Sequence, residues 1–258
     1  MRRPPIGISL VLLGAAALLG ATSLGRALVL EGRDRLVRWY GGDHRHGLAA
    51  LDRRLAQAGL DPRAGVHLRI HKQEGTLEIW IADGPRHRLF STLAICRYSG
   101  DLGPKLREGD NQSPEGFYLV DRAALNPRSA HHLAMNLGYP NPADRAKGRT
   151  GSFLMIHGGC LSVGCYAMTD TGIDEIYPLV ERSIDAGRPV PVHVFPFRMS
   201  EAALAATRGS PWASEWAVLA KGWRIFQETG NPPAVSMCGG ETVFERRSGC
   251  LDPMGRRI

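Results

Sequence analysis

In the stretch FLMIHGGCLSVGCYAMTD, Phe153 to Asp170, the residues His157, Cys160 and Cys165 fall within nine positions, framed by Gly158, Gly159 and Gly164. Three chemistries use such residues. A zinc site takes four ligands, or three and a water, and usually shows two CxxC or HxxxH pairs; no matching second pair lies nearby. A Cys160–Cys165 disulfide would close a very small loop under a restrictive geometry. The third chemistry is a nucleophile with its base. A strand ending in His157, a glycine-rich turn and a return at Gly164-Cys165 would bring the thiol to the imidazole, which takes its proton and holds a thiolate at neutral pH. This reading accounts for the most residues. Gly164 permits a backbone in which successive N–H groups converge as an oxyanion hole for acyl transfer, and Ser162 gains a role in the same turn. With no carboxylate in the motif, a backbone carbonyl would orient the imidazole, Gly158 being the nearest candidate.

The flanking sequence supplies elements to position this turn. Alternation at Val66, Leu68 and Ile70, then at Leu77, Ile79 and Ile81, predicts strands joined by turns, and RHRLFSTLAICRYSG and GFYLVD continue the pattern. SFLMIH is a compact apolar run before glycines, and VPVHVF alternates again, its Pro191 pointing to an edge or entry position. Between them, TGIDEIYPLVERSIDAG opens with a capping-box-like Thr171 and Asp174. It aligns Ile173, Ile176, Tyr177, Val180 and Ile184 on one face, which predicts a helix containing Pro178. HGLAALDRRLAQAGL predicts an earlier helix. Ser200 and Ser210-Pro211 open two later ones, the second carrying Trp212, Trp216, Leu219 and Trp223 as a face to pack on the main domain. Beyond Pro232-Pro233 the tail is polar and without periodicity, and no internal repeat is found.

The 258 residues, 43% hydrophobic, allow one sizeable core with appendages. Arg2 and Arg3 precede an uncharged run from Ile6 to Gly25, so residues 1–25 read as a signal peptide or a retained membrane anchor and the remainder as exported. In an oxidising compartment thiols pair, and five cysteines leave at least one over. Cys238 and Cys250 flank a loop and are candidates to pair; Cys96 reads as a small buried residue at a strand end. Without Arg2 and Arg3 the formal charge of +7 falls to +5, dispersed along the chain. Nucleic acid is therefore excluded as a partner class, and an anionic polymer or carboxylate-rich substrate fits better. His131-His132, His44 and His46 read as solvated.

IHGGCLSVGCYAM resembles the signature of the L,D-transpeptidase catalytic domain (YkuD type), in which an HG is followed by SxGC with His as base and Cys as nucleophile. ICRYSGDLGPKLREGDNQSPEGFY, NLGYPNPADRA and GIDEIYPLV extend the likeness to the YafK-like murein branch, over about Val66 to Arg198. The resemblance implies a mainly β fold, an L,D-transpeptidase-type β-sandwich or barrel with one packed helix and helical N- and C-terminal extensions. Residues 26–65 would form a helical linker, 66–198 the catalytic domain, and 199–258 a helical extension with a flexible tail. It implies nucleophile Cys165 and base His157, the amides of Gly164 and Cys165 in the oxyanion hole, and no cofactor or metal. The substrate would be diaminopimelate-containing peptidoglycan stem peptides, with a wall-linked lipoprotein as a further partner. Two features depart from the wider family. Val163 stands where most members have His, and Tyr166-Ala167 stands where most have a hydrophobic residue and an Arg. Substrate contacts are then expected from Ser162 and Tyr166 beside the nucleophile, and from the cations Arg97, Lys105 and Arg149. The departure favours the narrower branch, in which some members cut the bond between peptidoglycan and an attached lipoprotein. A catalytically inactive peptidoglycan-binding domain and a metal-dependent hydrolase are the competing readings.

Overall fold

The structure, a computed structural model, describes residues 44–258. The expected signal or anchor, residues 1–25, and residues 26–43 of the expected linker lie outside the described residues, as do the side chains of His44 and His46. In chain order the elements are α1 (His44–Ala58), β1 (Val66–His71), β2 (Thr76–Asp83), β3 (Arg86–Ala94), β4 (Gly116–Val120), β5 (Leu125–Ser129) and β6 (His132–Asn136). They continue with α2 (Pro142–Ala146), β7 (Met155–His157), β8 (Tyr166–Ala167), α3 (Thr169–Asp185), β9 (Val190–Phe195), α4 (Glu201–Ala206), α5 (Ala213–Thr229), β10 (Ser236–Cys238) and β11 (Glu241–Val243).

One sheet runs β3-β2-β1-β9-β4 and a second runs β5-β6-β7-β8. Strand alternation assigns each face of the first sheet to a separate core. Leu68, Ile70, Leu77, Ile79, Val192 and Val194 pack with Met135, Ile156 and Tyr166 of the second sheet and with Ile173, Ile176 and Val180 of α3. On the other face Phe117 and Phe195 pack with Trp216, Leu219 and Ala220 of α5, which is the packed face expected of the Trp-rich helix. Pro191 is tolerated in interior strand β9 because pairing with β1 begins only at Val192, so Pro191 sits at the entry.

Sheets covered on both faces exclude water from the alternate positions of β1 as well, and these are polar. His67, Arg69 and His71 are all buried. Arg69 lies 4.1 Å from the ring of Trp223 and 4.3 Å from that of Phe226, and pairs with buried Glu78 at 3.7 Å. The charge is held by aromatic faces in place of water.

Three local expectations are corrected. Thr171 does not cap α3: the helix begins at Thr169, after Met168, with no side-chain cap. Residues 234–258, read as a polar tail without periodicity, hold the β10–β11 hairpin, while the candidate pair Cys238 and Cys250 is disulfide-bonded. Cys96 is exposed and disulfide-bonded to Cys160 across 64 residues of sequence, so it is neither a buried strand-end residue nor reduced.

Candidate active site

Strands β7 and β8 are parallel neighbours in the register Ile156↔Tyr166 and His157↔Ala167. The chain therefore leaves the sheet at His157, makes the turn 158–165, and re-enters beside the strand it left, with Cys165 just ahead of β8. The His157 Nδ1–H donates to the Gly158 carbonyl at 2.6 Å, the backbone partner expected from sequence. This bond fixes the tautomer and leaves Nε2 with its lone pair. The Met155 N–H donates to Cys165 Sγ at 3.4 Å, and Sγ lies 3.5 Å from the Phe153 carbonyl. These partners, not the imidazole, hold the thiol in its resting rotamer.

Gly158 has no room for a Cβ, which would lie 2.7 Å from both Asp170 Oδ1 and the His131 carbonyl. Gly164 is required by its φ of 113°. Asp170, in the first turn of α3, accepts the Gly159 N–H at 2.8 Å. Ser162 Oγ donates to the Cys165 carbonyl at 2.6 Å, closing the turn. Alongside runs the segment after β3. Cys96 N–H and Arg97 N–H donate to the Ala167 carbonyl, the Ala167 N–H donates back to Arg97, and Ser99 Oγ accepts the Gly164 N–H at 2.6 Å. Of the two amides expected as oxyanion donors, that of Gly164 is thus already engaged by Ser99. The Cys96–Cys160 bond ties the middle of the turn to the same segment. Cys160 pairs with Cys96, and Cys165 is the free thiol.

Burial pushes the Cys165 thiol above its ordinary range, opposed by the Met155 N–H and the charge of Lys105. Burial likewise lowers His157, against the Gly158 hydrogen bond, and His131 lowers it further. Both shifts favour the uncharged forms, a thiol and a neutral imidazole, over the thiolate expected from sequence.

The expected substrate contacts divide. Arg97 is exposed and makes no ion pair among the described residues. Lys105 is only 3% exposed, and its Nζ donates to the Asp110 carboxylate and to the Arg107 carbonyl at 3.0 Å, so it fixes its own loop. Arg149 is buried between Asp144, at 2.9 Å, and Glu215. Tyr166 is fully buried, its hydroxyl donating to the Pro114 carbonyl at 2.8 Å, because it points to the opposite face from its neighbour Cys165. Lys105, Arg149 and Tyr166 are therefore supporting residues and do not face substrate. Among the described residues no group of three or more His, Cys, Asp or Glu side chains is placed to hold a metal ion.

This geometry coincides with a known family. The family model for the L,D-transpeptidase catalytic domain (YkuD) matches residues 63–194, the region that carries both sheets and the turn. The chain belongs to this family. YafK of Escherichia coli K12, provisionally named an L,D-transpeptidase, is 44% identical over 182 residues, covering 70% of this chain and 74% of YafK; YafK of a second E. coli strain matches equally. Among solved structures, the helical cell shape determining protein Pgp2 of Campylobacter jejuni is similar at 21% identity and a TM-score of 0.42, over 69% of this chain and 64% of Pgp2. A point mutant of Pgp2 gives 21% and 0.43, with 63% of its chain covered, so the chain spans just under two thirds of these structures.

Several residues around this turn carry no local sequence signal. Ser99, Asp170 and Cys96 reach the turn from distant segments. His131, read as solvated, is exposed but has its ring centroid 4.7 Å from that of His157, and His132 is half-buried against Asp174 at 2.7 Å. Lys72 is fully buried, its Nζ donating to the carbonyls of Asp101, Gly103 and Ser113 and to Glu115 Oε1, all within 3.1 Å. It anchors the long segment between β3 and β4 that borders the nucleophile. A lysine in the turn just after an alternating strand gives no hint of that role.

Proposed function

We propose that the chain is a cysteine-dependent acyl transferase or amide hydrolase acting on diaminopimelate-containing peptidoglycan stem peptides, exported by its first 25 residues. The observation that carries this reading is the return of Cys165, the free thiol, beside the strand that ends in His157, within a family domain named for L,D-transpeptidation. Rotation of the Cys165 side chain away from Phe153 brings Sγ towards Nε2. His157 removes the thiol proton as Sγ attacks the carbonyl next to the L-centre of diaminopimelate. The Cys165 N–H donates to the developing oxyanion, and the imidazolium then gives its proton to the departing amine. Water or a second amine resolves the thioester.

No arginine follows the nucleophile, and Lys105 and Arg149 are held by carboxylates, so Arg97 is the remaining candidate cation for a substrate carboxylate. A terminal D-alanine leaving group, which carries such a carboxylate, is accordingly disfavoured against a bond from diaminopimelate to a larger amine such as a lipoprotein lysine. Purified protein offered both substrates at matched concentration, with acylation of Cys165 followed by mass, tests this. Faster acylation by the D-alanine-terminated tetrapeptide would replace the lipoprotein-releasing reading with ordinary crosslinking. No acylation by either substrate, with binding to sacculi retained, would leave the inactive wall-binding domain.

A further inference from the structure

We propose that His131, at the tip of the β5–β6 hairpin, is a positioning residue for the His157 imidazole, holding the base by its ring face so that Nε2 keeps one direction. The inference rests on His157 being the base of Cys165.

The hairpin tip is built to reach this place. β6 pairs with β7 antiparallel, Ala134 opposite His157, and the ladder continues one step further through the Gly158 N–H to the Leu133 carbonyl at 3.0 Å. The two-residue turn Ala130-His131 therefore overhangs the point where β7 ends. The His131 N–H donates to Ser129 Oγ at 3.0 Å, and His132, at the unusual φ of 70°, joins its Nε2 to Asp174 of α3 at 2.7 Å. A bulky residue accepts left-handed backbone only where its surroundings fix it. Here the ion pair and the ladder do so from two sides. The absence of a Cβ at Gly158 completes the approach, since the His131 carbonyl occupies the place that atom would take.

The two rings then lie 4.7 Å apart between centroids, at 34°. His157 is buried, and its imidazole makes one hydrogen bond, from Nδ1 to the Gly158 carbonyl. Rotation about that bond swings the far nitrogen. The tilted His131 ring beside it limits that rotation. The same contact favours a neutral base, because a charge on His131 opposes one on His157. Other charged or titratable groups around the pair are His132 on the hairpin, Asp170 and Asp174 on α3, and Cys165 across the turn, with Lys105 acting on Cys165. His131 itself is exposed, so its substitution removes no core contact.

The test uses the whole chain and needs no peptidoglycan. His131→Phe keeps a ring but no charge, and His131→Ala removes both. Two quantities are measured: the NMR titration of the His157 imidazole, and the rate at which iodoacetamide alkylates Cys165 as a function of pH. The His157 midpoint should rise in both variants, and alkylation at neutral pH should slow by roughly tenfold in His131→Ala while staying within about threefold of wild type in His131→Phe. An unchanged midpoint and rate in His131→Ala would overturn the proposal. So would a rate in His131→Phe as low as in His131→Ala, which would make the requirement one for imidazole chemistry and not for a stacked ring. Failure of the stem-peptide assay with these results intact would instead count against the substrate reading alone.

Discussion

Removing the Cys96–Cys160 disulfide should cost both stability and catalysis, and the two losses are separable. The bridge spans 64 residues of sequence, so the chain-entropy treatment of the unfolded state gives about 4 kcal/mol, or roughly 10 °C in Tm for a domain of this size. The Cys238–Cys250 bridge spans 12 residues and gives about 3 kcal/mol by the same relation. On stability alone the two double variants, Cys96→Ser with Cys160→Ser and Cys238→Ser with Cys250→Ser, should therefore look similar. They should differ in activity. Cys160 sits between base and nucleophile in the chain, and without its bridge the turn is held to the neighbouring segment by hydrogen bonds at Ser99, Ser113 and Ala167. Loosening a nucleophile by a fraction of an ångström to an ångström costs about one to two decades in rate, so a loss of at least tenfold is expected in the first variant and almost none in the second. Calorimetry and alkylation of Cys165 by iodoacetamide, each at a temperature where all variants are folded, give the two quantities. Equal alkylation rates in both variants and wild type would refute the claim that the bridge positions the nucleophile. A Tm shift under about 3 °C for the first variant would refute the entropic argument.

The remaining predictions concern named side chains. Cys165→Ala should abolish acyl-enzyme formation, and His157→Ala should slow it by about two to four decades, both read by intact mass against time. Because burial lowers the His157 pKa, activity should fall on acidification with a midpoint below 6.5 and be level through neutrality, as a pH–rate profile would show. His71 and His193 are held neutral by burial at about 3 against an unfolded value of 6.5. The unfolded state thus binds the extra protons, and the stability present above pH 6.5 is lost as pH falls towards 3, at about 2 kcal/mol per histidine by pH 5. A Tm that does not change between pH 8 and pH 5 would contradict this. Arg97→Ala should raise KM for a carboxylate-bearing substrate by roughly tenfold without moving Tm. Arg149→Ala should instead lower stability by about 3 kcal/mol, since it strands the buried Asp144 carboxylate, and a normal Tm would rule that out.

What the sequence reveals about this site and what it hides follow from the range of the interactions involved. Strand alternation is a local property, so β1, β2, β4 and β9 are legible, and with them the two-faced sheet; the Trp stripe of α5 gives the layer that covers it. The turn is also local. His157, Gly158, Gly164 and Cys165 lie within nine residues, and the carbonyl that orients the base is the next residue along the chain. What escapes is contributed across the fold. Cys160 reads as an orphan until Cys96 arrives from the end of β3, Gly164 reads as an amide donor until Ser99 engages it, and Asp170 is an unremarked helix residue until it accepts the Gly159 N–H. The misplaced residues fail for a related reason. Lys105 and Arg149 are plausible substrate cations only while their carboxylate partners, Asp110 in its own loop and Glu215 on α5, are unseen. Tyr166 looks substrate-facing by adjacency to Cys165, yet adjacency on a strand is what turns two side chains to opposite sides. A catalytic turn can therefore be read from its own residues, whereas the burial that shifts its thiol and imidazole, and the smaller effects of Lys105 and His131 on them, exist only once the tertiary fold has formed.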